Sequence, residues 1–180
     1  MNIRLITEED IPKWEKLSYE HDCYVKEFYS GFSEWSIDNN QYLTYKKHLE
    51  AKVRQKEAYM AVDISDNCLG VIAFSKKRNC IAFFGISQNS NVQTIGDMLL
   101  SHTIQLLETD KNIYTKLIAC NLDLINQYRI LFKNNGFRET GILYKRGLAF
   151  ITFVKKPPIT SKSSGFNVTS KRCLACNSLS

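Results

Sequence analysis

No apolar run in this 180-residue chain approaches the roughly 18 residues that a membrane-spanning helix needs. The first ten residues hold one arginine followed by three acids and no apolar stretch, so they do not read as a secretory signal. A cytoplasmic location is the expectation from these two absences. Paired metal-ligand cysteines are missing from most of the chain: Cys23, Cys68, Cys80 and Cys120 stand singly among apolar segments. Free thiols so placed behave as small hydrophobes. Acids are absent from the last 26 residues, where Lys155, Lys156, Lys162, Lys171 and Arg172 carry most of the net charge of +6. What precedes them is close to neutral, which favours a solvated basic tail over a nucleic-acid surface. Internal repeats are lacking too.

What is present is enough for one packed domain, with 44% apolar and 12% aromatic residues. Asn2 to Thr7 alternates as a short strand. Asp10 reads as an N-cap with Pro12 in the first helical turn, followed by Ile11, Trp14, Leu17 and His21 at helical spacing. The aromatic stretch Tyr24 to Trp35 shows no period. It reads equally as one wall of an acceptor pocket or as core under a long loop. Asn39 to Lys56 is helical again. Three strands follow, at Ala58 to Ile64, Cys68 to Ser75 and Cys80 to Ser87, and the apolar run 81–86 predicts burial of the last on both faces. A polar loop, Gln88 to Val92, opens a helix with a stripe of Ile95, Met98, Leu99, His102 and Leu106. Ile113 to Ala119 is a strand. Leu124 to Phe132 lies in a helix closed by Asn135-Gly136 as a left-handed cap. Strands at about Phe137 to Tyr144 and Leu148 to Val154 complete a domain of residues 1–155. Residues 156–180 form a flexible Ser/Lys-rich tail.

Three passages then resemble one family. They are the opening IRLITEEDIPKW, the central FFGISQNSNVQTIGDMLLSHTIQLL and the helix end LFKNNGF. Together with the order β-α-α-β-β-β-α-β-α-β-β they resemble the GNAT superfamily of N-acetyltransferases over residues 1 to about 155. The resemblance implies an α/β (α+β) fold, with a mixed central sheet of about six to seven strands flanked by about four helices. It also implies transfer of an acetyl group from acetyl-CoA to a primary amine of a small molecule or peptide.

The family's pyrophosphate motif, Gln/Arg-x-x-Gly-x-Gly/Ala, corresponds to Gln93, Thr94, Ile95, Gly96, Asp97 and Met98, with Met98 in place of the last small residue. Independently of the family, a polar loop entering a helix presents unpaired N–H groups and a dipole suited to phosphate. Asp97 would repel a diphosphate unless it points away. By resemblance, Phe84, Gly85 and Ile86 would receive the pantetheine arm as an added strand, Phe132 would also contact the cofactor, and Asn121 would bind the cofactor or an ordered water. A backbone N–H near Ile86 would polarise the thioester.

Many relatives have a tyrosine as the thiolate's acid where this chain has Phe132. Tyr128, one turn earlier, and Tyr144 are the substitutes, each also readable as an ordinary packed tyrosine. His21 has the pKa of a base but lies on its helix's apolar stripe, as a core histidine does. The fourth strand offers no carboxylate. In the tail, Cys173 and Cys176 have the spacing of half a zinc site, which two tails of a homodimer would complete, and they also read as two free thiols on a flexible tail or as a redox pair. Two other readings therefore stand beside the enzyme: an acyl-CoA-binding domain without turnover, and a zinc-dependent interaction module acting through the tail.

Overall fold

The computed structural model describes residues 1–28, 39–120, 122–145 and 148–158. The side chains of 22, 24–28, 39–45 and 122 lie outside that description. The chain runs β1 (Asn2–Leu5), a 3-10 turn (Glu8–Asp10), α1 (Ile11–Phe28), α2 (Asn39–Arg54), β2 (Ala58–Val62), β3 (Cys68–Ser75) and β4 (Cys80–Ile86). It continues with α3 (Val92–Ile104), β5 (Ile113–Ile118), α4 (Leu122–Asn134), β6 (Arg138–Lys145) and β7 (Leu148–Lys155). The strands form one mixed sheet in the order β1-β2-β3-β4-β5-β7-β6, antiparallel throughout except for β4 beside β5.

The period-two alternation of β3 divides the core into two layers. Val71 and Ala73 turn to one face, where α1 and α2 bring Trp14, Leu17, Leu49 and Val53. Ile72 and Phe74 turn to the other, where α3 and α4 bring Leu99, Leu100, Ile125, Leu131 and Phe132. Side chains of this size contribute about 1.5–3 kcal/mol each when fully buried, and Trp14, Phe74, Leu99 and Phe132 are wholly so. No helix among the described residues is long and apolar enough to cross a membrane. Cys23, Cys68, Cys80 and Cys120 are free thiols, and burial pushes Cys68 up to about 11.

Local chemistry differs from the sequence reading in three places. Asp10 is not the N-cap of α1. Thr7 occupies the cap of the 3-10 turn that leads into the helix. The Asp10 carboxylate accepts from the Thr7 N–H and hydroxyl (3.0 and 2.9 Å) and from both terminal nitrogens of Arg4 (2.6 and 2.8 Å). A buried carboxylate that can reach a guanidinium on β1 gains more there than at an exposed helix end. Secondly, α1 extends to Phe28, past His21, the last residue of the helical stripe, and into the stretch that shows no period. Thirdly, β4 is not buried on both faces along its length: Ala82 is exposed, while Phe84, Gly85 and Ile86 are buried.

The end of α2 is fastened to the sheet by a buried ion pair. Lys52 Nζ donates to Glu57 Oε2 and to the Phe74 carbonyl, both at 2.5 Å. Glu57 Oε1 accepts from the Lys76 N–H at 2.8 Å. The predicted cap of α4 is present: Gly136 has φ +80°, and the Phe137 N–H reaches back to the Phe132 carbonyl at 2.9 Å. The aromatic stretch from residue 29 to 35 and the tail from residue 159 lie outside the described residues.

Candidate functional site

The parallel neighbours β4 and β5 are in register at one residue pair, Cys80 with Tyr114. Beyond it they diverge, although β4 continues to Ile86 and β5 to Ile118. On its other side β4 stays paired with β3 to the end, and the Ser87 N–H still donates to the Leu69 carbonyl at 3.0 Å. Backbone direction alternates along a strand, so the N–H and C=O of Ile86 face away from β3, into the opening between β4 and β5.

Two sequence-predicted residues meet there. Tyr128, from α4 on one face, accepts the Ile86 N–H through its hydroxyl oxygen at 3.2 Å. His21, from α1 on the other face, places Nε2 3.2 Å from the Ile86 carbonyl oxygen. A carbonyl can only accept, so Nε2 carries the proton. Burial lowers the pKa of His21, with the Ile86 carbonyl a smaller opposing influence. The imidazole is therefore neutral near pH 7. Gly85 is what lets the ring lie so close: a Cβ there would stand 2.9 Å from His21 Nε2 and 3.1 Å from the Phe83 ring.

Five residues, 87–91, connect this end of β4 to α3. The Ser90 N–H closes a turn on the Ser87 carbonyl at 2.9 Å. Asn91 caps the helix, its side-chain oxygen accepting from the Thr94 N–H at 2.9 Å. The N–H groups of Val92 and Gln93 remain outside the helix's own ladder, as at any helix start.

Gln93 to Met98 therefore lie in the first two turns of α3, and the loop that leads into the helix is 87–91. Gln93 Nε2 donates to the Gln127 carbonyl at 2.9 Å and ties α3 to α4. Ile95 is core, and Met98 is half-buried. Gly96 faces α4, where a Cβ would stand 2.3 Å from Leu131 Cδ2. Asp97 turns away from the loop and accepts from Asn135 Nδ2 at 2.7 Å, which removes the repulsion the sequence suggested.

Phe84 and Phe132 lie in the floor beneath Ile86. Phe132 has no exposed surface and packs its ring 5.6 Å from Phe84 and 5.1 Å from Phe153, so it supports the site without lining it. Tyr144 is 76% exposed on the edge strand β6, with β5 and β7 between it and β4. Asn121, Cys173 and Cys176 lie outside the described residues. Among the described residues no three His, Cys, Asp or Glu side chains gather as a metal site requires. Sequence reasoning missed Asn91, although an Asn just before a striped helix is an N-cap signal. It also missed the pairing of His21 with Ile86, for which a separation of 65 residues leaves no local trace.

No family model and no curated protein matches the chain. Solved structures do match. A GNAT-family acetyltransferase from Streptococcus agalactiae 2603 superposes with a TM-score of 0.62 at 12% identity, over 87% of this chain and 95% of that one. An N-acetyltransferase from Staphylococcus aureus Mu50 gives 0.62 at 13% identity, over 86% and 100%. A GNAT-family acetyltransferase from Bacillus cereus ATCC 10987 gives 0.58 at 13%, over 87% and 97%. The architecture built here from β1 to β7 is thus the GNAT acetyltransferase fold.

Proposed function

We propose that the chain is an acyl-CoA-dependent N-acyltransferase, moving an acetyl group from acetyl-CoA to a primary amine of a small molecule or peptide. The observation that carries this reading is the parting of β4 from β5 beyond Cys80, which leaves Ile86 facing an opening one short loop away from the start of α3. An extended amide-bearing arm fits along Phe84, Gly85 and Ile86 as an added strand. The N–H groups of Val92 and Gln93 fit a diphosphate. Acetyl-CoA supplies an activated thioester. The chain's own groups do the rest. The Ile86 N–H points to where negative charge develops on the acyl oxygen. As the neutral amine's nitrogen bonds to the acyl carbon, the carbon–sulfur bond breaks. The departing thiolate takes a proton from water. With its Nε2 proton engaged by the Ile86 carbonyl, neutral His21 orients the strand, and water receives the amine's proton.

Thermal unfolding with and without acetyl-CoA tests the binding step. Ligand at about 100 times its Kd stabilises by roughly 2.7 kcal/mol, a rise of several degrees for a domain of this size. Asn91→Asp retains an effective cap while placing a carboxylate against the diphosphate. The variant should melt no lower than the parent and lose most of the ligand-induced rise. No rise in the parent with acetyl-CoA, CoA or longer acyl-CoAs would sink the reading. A second reading, acyl-CoA binding without turnover, is favoured by Phe132, which has no proton to give. Thiol release across a panel of amines separates the two.

A further inference from the structure

Both backbone groups that Ile86 turns into the opening are satisfied by the chain itself, the N–H by the Tyr128 hydroxyl and the C=O by His21. Each partner is held in place. Tyr128 is 4% exposed, with its ring edge-on to Phe84 at 5.5 Å, and His21 meets Phe83 at 6.3 Å. A buried strand N–H without an acceptor is strongly disfavoured. Any ligand carbonyl that takes the Ile86 N–H must therefore replace the Tyr128 oxygen, one acceptor for another.

We infer that Tyr128 is a positioning residue whose hydroxyl stands in for the acyl carbonyl at the Ile86 N–H, yields to it when acyl-CoA binds, and returns once the acyl group has left. The inference rests on the acyl-CoA reading above and adds how the site responds to the acyl group. CoA itself has no carbonyl next to sulfur, so it leaves the Tyr128–Ile86 bond intact. The exchange breaks no covalent bond: one N–H···O contact replaces another, and the phenol keeps its proton. His21 retains the Ile86 carbonyl throughout, so the strand keeps its position while its N–H changes partner. After transfer, the Ile86 N–H regains the Tyr128 oxygen in place of the product's carbonyl, which favours release of the acylated product.

Calorimetry with three ligands tests this on the full chain and on Tyr128→Phe. The ligands are acetyl-CoA, CoA and a thioether analogue in which CH2 replaces the acyl carbonyl. Removing the hydroxyl removes the competitor, so the variant should bind acetyl-CoA about 2- to 10-fold more tightly. Binding of CoA and the thioether should not change. Equal changes for all three ligands, or weaker acetyl-CoA binding, would overturn the inference. The backbone amide resonance of Ile86 in the parent gives a readout that needs no variant. It should move further with acetyl-CoA than with CoA or the thioether, and an equal displacement by all three would again overturn it. Failure of the parent to bind any of them removes the acyl-CoA reading as well, whereas binding without discrimination removes this inference alone.

Discussion

Asp10 shows how one buried carboxylate can set the acid limit of the molecule. First the Arg4 guanidinium, then the Thr7 N–H and hydroxyl, hold it well below the usual carboxylate range, against the opposing effect of burial. In the unfolded chain the group titrates near about 4. A carboxylate depressed on folding contributes stability above its unfolded pKa and loses that contribution as pH falls below it. Asp10→Asn should therefore cost about 2 kcal/mol at pH 7, and the gap between variant and parent should shrink as pH drops from about 4 towards 2. Urea unfolding across that range measures it, and a gap that stays constant with pH would contradict the assignment. His21 works in the same direction, at higher pH. It is a base with a lowered pKa, so the stability of its neutral form is complete above its unfolded value of about 6.5 and declines below it.

At the scale of elements, α3 and α4 meet at Gly96. The methyl of Gly96→Ala would fall 2.3 Å from Leu131 Cδ2, 3.0 Å from Cδ1 and 3.2 Å from Cγ. Leu131 is wholly buried and has no solvent to swing into. Gly96→Ala should destabilise by about 1–3 kcal/mol, and adding Leu131→Ala should recover part of the loss. A neutral Gly96→Ala in urea unfolding would show that the two helices can part. This residue also marks where sequence reasoning stopped. Periodicity was sufficient for the order of the strands and helices, because apolar stripes such as Ile95, Leu99 and His102 are local. Turn chemistry placed Gly136. The motif spacing, however, assigned Gly96 to a phosphate loop, when its tight neighbour belongs to a helix more than thirty residues on. The divergence of β4 from β5 was equally hidden, since the apolar run 81–86 reports that a strand is buried and nothing about what stands beside it. His21 and Tyr128 were legible as candidates by residue type. Their meeting at Ile86 was not.

Taken whole, the sheet is two backbone-bonded halves, β1 to β4 and β5 to β7, joined across the middle at Cys80 and Tyr114. Elsewhere the halves are held by side chains: Phe84 and Ile86 of one and Ile151 and Phe153 of the other share the core under α3 and α4. Such a seam lets each half open as its own cooperative unit. Native-state hydrogen exchange should sort the strand amides into two groups with different opening free energies. One common value across all seven strands would contradict this. A ligand seated at Ile86 would span the seam, so saturating acetyl-CoA should bring the two values together. On the acyl-CoA reading, the same parted strands would be the line along which the molecule breathes, and occupancy of the cleft would be felt as stiffness in strands that touch no ligand at all.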